Sequence, residues 1–175
     1  MNKKQLIAKL SGSLNQSKAD AEKILDELDI LYQQSRDFSR EINAVDTGVN
    51  FKEALYTMLN AQKPEETRLL IVGAKDISWQ SLSNVSKITL YKVLRELFIN
   101  MSKHSKASLV TLNLKQFTKA LEIQYSDNGV GIDTSKGFEK NGLLITEKRM
   151  DAIGGTIIFE SDHGIGLKAV IRIPN

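Results

Sequence analysis

Apolar residues recur at alternating steps of four and three along the first 43 residues. Positions 10, 14, 17, 21, 24, 28, 31, 35, 38 and 42 read Leu, Leu, Ser, Ala, Ile, Leu, Leu, Ser, Phe and Ile. This is a heptad seam, weakest at Ser17 and Ser35, and it predicts a long helix whose narrow stripe is buried against another helix. The stripe could pack on the chain's own body, but a long helix hides an a/d seam best against a partner copy. Dimerisation through residues 1–63 is therefore expected. Asp46-Thr47-Gly48 then breaks the rhythm with turn formers. Asn50 followed by Glu53 has the spacing of a capping box, and Phe51, Ala54, Leu55, Met58 and Leu59 mark one face of a second helix. Pro64 should end that helix near Gln62, because the residue before a proline avoids the α region.

Beyond Pro64 the period changes. Short strands are expected at Leu69–Val72, Ser108–Leu114 and Leu121–Tyr125, helices at Val85–His104 and Leu143–Ile153, and a closing hairpin of Thr156–Glu160 with Leu167–Ile173. Helices interleaved with strands and ending in a hairpin predict an α/β sandwich, with helices on one face of a mixed sheet. The fold class expected is thus α+β, with a helical dimerisation hairpin at 1–63 followed by the sandwich at 64–175.

Composition narrows the chemistry. The 41% hydrophobic content can furnish a core. The longest apolar runs fall well short of the roughly 18 residues of a membrane span, and the N-terminus does not open a signal peptide. A cytoplasmic protein, or the cytoplasmic part of a membrane-bound sensor, is expected, with no membrane span within this chain. Without cysteine, disulfides, thiol nucleophiles and thiolate metal sites are excluded, and two histidines leave little for a metal centre. A net charge of +3 suits an anionic ligand. The basic residues are dispersed rather than blocked, so nucleic acid is not an expected partner.

Three segments carry candidate chemistry. In the first, Arg95-Glu96-Leu97-Phe98-Ile99-Asn100-Met101-Ser102-Lys103-His104, a helix would set Glu96, Asn100, Lys103 and His104 on one stripe and turn Leu94, Leu97, Phe98 and Met101 to the core. A carboxylate, an amide oxygen and two donors on one stripe can hold Mg²⁺ and phosphate, although the same pattern also describes a solvated helix face. In the second, Ser126-Asp127-Asn128-Gly129-Val130-Gly131-Ile132-Asp133, two glycines follow a carboxylate at a strand end. The glycines would let backbone approach a ligand and the carboxylate would accept from an exocyclic amine; a plain hairpin turn is the alternative. In the third, Lys140-Asn141-Gly142 opens a helix whose free N–H groups could meet phosphate oxygens.

Taken in this order, the segments resemble the ATP-binding domain shared by gyrase, mismatch-repair ATPases and, in its nearest form, sensor histidine kinases. The resemblance spans about Lys87 to Asn175. It rests on Glu96, Asn100, Lys103, His104, Asp127, Gly129, Gly131, Gly142, Leu143, Arg149, Gly154 and Gly155. It implies Mg²⁺ and ATP as cofactors, with Asn100 as the metal ligand. Glu96 is then the catalytic carboxylate, polarising water or the metal shell, and Lys103 and His104 contact the phosphates. Asp127 receives the adenine amine, and Gly129, Gly131 and Gly142 flank a lid over about Asp133 to Asn141. Leu143 belongs to the same nucleotide-contacting segment, though its spacing with Ile145 and Met150 is also that of plain core. A response regulator is the partner implied.

The departures from that family pattern bear on activity. Family members transfer phosphate to a histidine on the helical hairpin, yet residues 1–63 contain none; Ser39 or Arg40 occupies the expected position in Arg36-Asp37-Phe38-Ser39-Arg40. The acid and amide that assist dephosphorylation would fall on Arg40 and Ala44. Of the two histidines present, His104 belongs to the phosphate-binding segment and His163 to an expected turn. Ile145-Thr146 and Gly166-Leu167 also depart from the pattern. Trp79 is expected to pack rather than to stack on a ligand. The readings this leaves open are an ATP-binding and dimerisation region without histidine autophosphorylation, a non-catalytic dimeric scaffold, or a serine-directed kinase of the anti-sigma type.

Overall fold

The structure, a computed structural model, describes residues 45–131, 141–162 and 165–175. The heptad seam, the position of the missing acceptor histidine, all of the expected lid at 133–141 but its last residue, and His163 lie outside them. The chain divides into two units, Met1–Ala44 and Val45–Asn175.

The first element of the second unit is helix α1, Phe51–Gln62, whose buried residues Phe51, Leu55, Met58 and Leu59 repeat at helical spacing. It ends as the sequence predicts, with Lys63 extended before Pro64. Its start differs: the Asn50 side chain makes no cap bond. Instead Asp46 Oδ1 accepts from the Gly48 N–H at 2.8 Å, and the Gly48 carbonyl accepts from the Phe51 N–H. The turn formers do the capping. Helix α1, expected as an arm of the N-terminal hairpin, falls in the unit Val45–Asn175 and shares its core.

Strand β1, Arg68–Val72, follows, then two single 3₁₀ turns at Ala74–Asp76 and Trp79–Ser81. Trp79 packs as expected, 7% exposed, with its ring 5.7 Å from that of Phe51. Helix α2, Asn84–Asn100, starts at a Ser83 cap whose hydroxyl accepts from the Ser86 N–H at 3.0 Å. It does not reach His104 in α form; a π-helical turn, Met101–Ser105, completes it.

Strands β2 (Leu109–Phe117), β3 (Ala120–Asp127), β4 (Thr156–Asp162) and β5 (Gly166–Pro174), together with helix α3 (Asn141–Asp151), complete the unit. The five-stranded sheet has the order β1-β2-β3-β5-β4, with β1 parallel to β2 and the other pairs antiparallel. It is the mixed sheet the sequence predicts.

Register explains the sandwich. Val110 lies opposite Asp127, Leu112 opposite Tyr125 and Leu114 opposite Ile123, all buried. Their neighbours Thr111, Asn113 and Lys115 are less buried, so β2 alternates with the period of two of a sheet covered on one side. Leu90, Val93, Leu94, Leu97, Phe98 and Met101 join the same core. Each such side chain contributes about 1.5–3 kcal/mol on leaving water. Helix α3 buries Thr146 and Met150 and half-buries Leu143, at steps of three and four. Ile145, expected in the core, is 46% exposed because two residues past Leu143 point to the other side of a helix. Among the described residues no helix is long and apolar enough to cross a membrane.

Candidate functional site

The last turn of α2 meets the start of α3. Glu96 and Asn100 are neighbours one helical turn apart, and the Asn100 amide donates from Nδ2 to Glu96 Oε1 at 3.3 Å. That bond occupies the amide's donor end and leaves Oδ1 as its remaining acceptor. A β-carbon at Gly142 would sit 2.8 Å from Glu96 Oε1 and 3.8 Å from Asn100 Nδ2. The first turn of α3, whose N–H groups have no partner within the helix, thus comes down close beside this carboxylate and amide. Two of the three predicted segments meet here.

Asp127 closes β3 and is only 6% exposed. Its carboxylate is held on both oxygens. Oδ1 accepts from the Ser105 hydroxyl at 2.7 Å and the Gly129 N–H at 2.9 Å, and Oδ2 accepts from the Tyr125 hydroxyl at 2.8 Å. Burial, the adjacent Asp127 charge and this hydrogen bond all push the Tyr125 hydroxyl above the usual tyrosine range, so it stays a donor. Tyr125 lies two residues before Asp127, on the same face of the strand, with its ring edge-on to Phe98 at 6.1 Å.

Backbone geometry links the second segment to the first. The Ser105 carbonyl accepts from the Val130 N–H at 2.8 Å, and a β-carbon at Gly129 would collide with the Ser105 hydroxyl and carbonyl. Gly129 serves by lacking a side chain, whereas Gly131 serves by its φ of 72°. Asn128 fastens the other flank. Its Oδ1 accepts from the N–H groups of Ser108 and Leu109 at 3.0 and 2.9 Å, and its Nδ2 donates to the Ser108 hydroxyl. The segment is no hairpin turn: β3 is followed on the sheet by β5, and Gly166 of β5 approaches the Asp127 carbonyl so closely that a β-carbon would clash.

Lys103 and His104 are exposed, on the π-helical turn. Hydrogen bonding from i to i+5 winds this turn more loosely than the α-helix the sequence predicts there. Leu143 is half-buried against the core, and Gly131 stands at the edge of the segment outside the described residues. Ser105, Tyr125 and Asn128 were not among the expected site residues. A buried tyrosine two positions before a strand-end aspartate is a legible pair in sequence, whereas the part Ser105 plays depends on the π turn.

A family profile described as histidine kinase-, DNA gyrase B- and HSP90-like ATPase matches residues 86–175, just over half of the chain. The chain belongs to that family. Sensor histidine kinase ComP of Bacillus subtilis is 34% identical over 96 residues, which cover 53% of this chain and 12% of that protein. Sensor histidine kinase DesK of the same organism is 25% identical over 161 residues, 89% of this chain and 42% of that protein. The chain therefore spans well under half of these relatives' length. Among solved structures, the histidine kinase domain of the Erythrobacter litoralis EL346 blue-light activated histidine kinase superposes with a TM-score of 0.57 at 13% identity. That superposition covers 95% of this chain and 80% of the matched one, and is a likeness of fold.

Proposed function

We propose that the unit Val45–Asn175 binds Mg-ATP as the nucleotide-binding part of a sensor-kinase-like signalling protein that dimerises through its N-terminal residues. One observation carries the reading: Gly142 seats the start of α3 against the Glu96–Asn100 pair. Backbone donors, a carboxylate and an amide oxygen are the groups a triphosphate with a divalent cation needs. Among the described residues no three His, Cys, Asp or Glu side chains gather as a metal cluster. Mg²⁺ suits such a site, since it keeps waters and phosphate oxygens in its shell and takes few protein ligands.

In this reading Asn100 Oδ1 ligates the cation. Glu96 orients the Asn100 amide through their hydrogen bond and accepts from a water on the metal. Lys103 and His104 supply donors to the phosphates from the exposed π turn, and Asp127 accepts from the adenine amine. Bound Mg-ATP supplies a γ-phosphoryl group with its charge screened for transfer. The chain's own residues bind and orient it. Residues 1–63 hold no histidine to receive it, so histidine autophosphorylation is not expected of this chain; a response regulator is the expected partner of the signalling protein.

Calorimetry with Mg-ATP tests the reading. The unaltered chain should bind, and Asn100→Ala should weaken binding at least tenfold if the amide is worth the roughly 1.5–3 kcal/mol of a charge-assisted contact. No heat from the unaltered chain refutes it. Radiolabelled ATP should leave no acid-labile, base-stable label on the protein; such label would show that another residue replaces the missing acceptor.

A further inference from the structure

We infer that Ser105 and Tyr125 are positioning residues that leave the Asp127 carboxylate open to a single ligand donor, thereby setting the preference for a base with an exocyclic amine. The inference rests on the nucleotide reading above. An ionised carboxylate has about four acceptor positions. Among the described residues three of them are taken: two on Oδ1 by the Ser105 hydroxyl and the Gly129 N–H, and one on Oδ2 by the Tyr125 hydroxyl. Among those residues the position left is on Oδ2.

The two hydroxyl donors come from different pieces of chain, and each is itself immobilised. Tyr125 is 1% exposed within β3 and wedged edge-on against Phe98. Ser105 is 8% exposed at the end of the π turn, with its carbonyl bonded to the Val130 N–H and Gly129 packed against it. Both hydroxyls have their one proton directed at Asp127, so neither offers it to a ligand. A base presenting an amine there completes the carboxylate's shell, whereas one presenting a carbonyl oxygen meets an acceptor with no proton between them. A buried polar group matched in this way discriminates more sharply than an apolar wall can.

The test compares ATP with purine riboside triphosphate, which lacks the 6-amine, by calorimetry in the presence of Mg²⁺. Tyr125→Phe removes one oxygen and keeps the ring; Ser105→Ala does the same for the other donor on a separate element. If the two hydroxyls position Asp127, each variant should weaken ATP binding by about tenfold, the scale of a hydrogen bond to a charged group. The analogue's affinity should change less than about twofold, because the lost contact is one it never made. Equal weakening of both nucleotides would reduce the two residues to packing roles and overturn the inference, as would unchanged ATP affinity in both variants. A chain that binds neither nucleotide before any substitution overturns the nucleotide reading itself, and this inference with it.

Discussion

Gly129 and Gly154 show how two glycines of one domain serve opposite needs. At Gly129 the Ser105 carbonyl stands where a β-carbon would go, at 2.2 Å, while at Gly154 nothing lies within 4 Å but φ is +68°. Gly129→Ala must push Ser105 away from Asp127, so it should cost about 1–3 kcal/mol of stability, the range for overpacking, and reduce nucleotide affinity too. Gly154→Ala strains only its own torsion, about 1–2 kcal/mol, and should leave affinity unchanged. Denaturant titration paired with nucleotide titration distinguishes them; loss of affinity in both would mean that Gly154 reaches the site. Asn100 and Glu96 belong to the same scale, since one hydrogen bond fixes the orientation of the amide and so of its Oδ1 acceptor.

Helix α2 is the element on which the site depends, because it carries Glu96 and Asn100 and runs through the π turn to Ser105. Its start is fixed by Ser83, whose hydroxyl takes the Ser86 N–H. Ser83→Ala should lower stability by about 1 kcal/mol, as for other N-cap losses. Because the cap lies nearly five turns from Asn100, nucleotide affinity should be unaffected in the folded protein, and a change there would show that α2 shifts as a whole. At the other end, the π turn replaces a regular α turn and brings Ser105 against the Asp127 loop, joining the helix to the sheet. The 3.6-residue stripe anticipated Leu94, Leu97, Phe98 and Met101 in the core. The π turn leaves no comparable trace in the apolar periodicity of the sequence.

At the level of the whole molecule, helix α1 belongs with the sheet. Phe51, Leu55 and Leu59 are at most 1% exposed in the core that also contains Trp79, and the buried Lys87 donates to the Thr47 carbonyl at 2.6 Å just ahead of α1. A chain beginning at Val45 should therefore unfold cooperatively with near-native stability. One beginning at Pro64 forfeits four buried side chains worth about 1.5–3 kcal/mol each, comparable to the whole stability of a domain, and should not fold. Circular dichroism during urea titration separates the cases; a stable, cooperative 64–175 fragment would mean that α1 is dispensable.

The strand and helix order, the buried face of each element and the Glu96, Asn100, Asp127 and glycine positions could all be read from residue order. They depend on periodicity and on short motifs, which are local. That helix α1 shares the core of the sheet, that α2 ends in a π turn, and which groups hold Asp127 were decided by tertiary structure. A helix stripe records that a face must be buried, but not which unit buries it, and a carboxylate's donors are drawn from segments that approach only when the sheet has closed. Asp127 itself was visible in the sequence; that Ser105, Tyr125 and Gly129 all donate to its carboxylate became visible only in the fold.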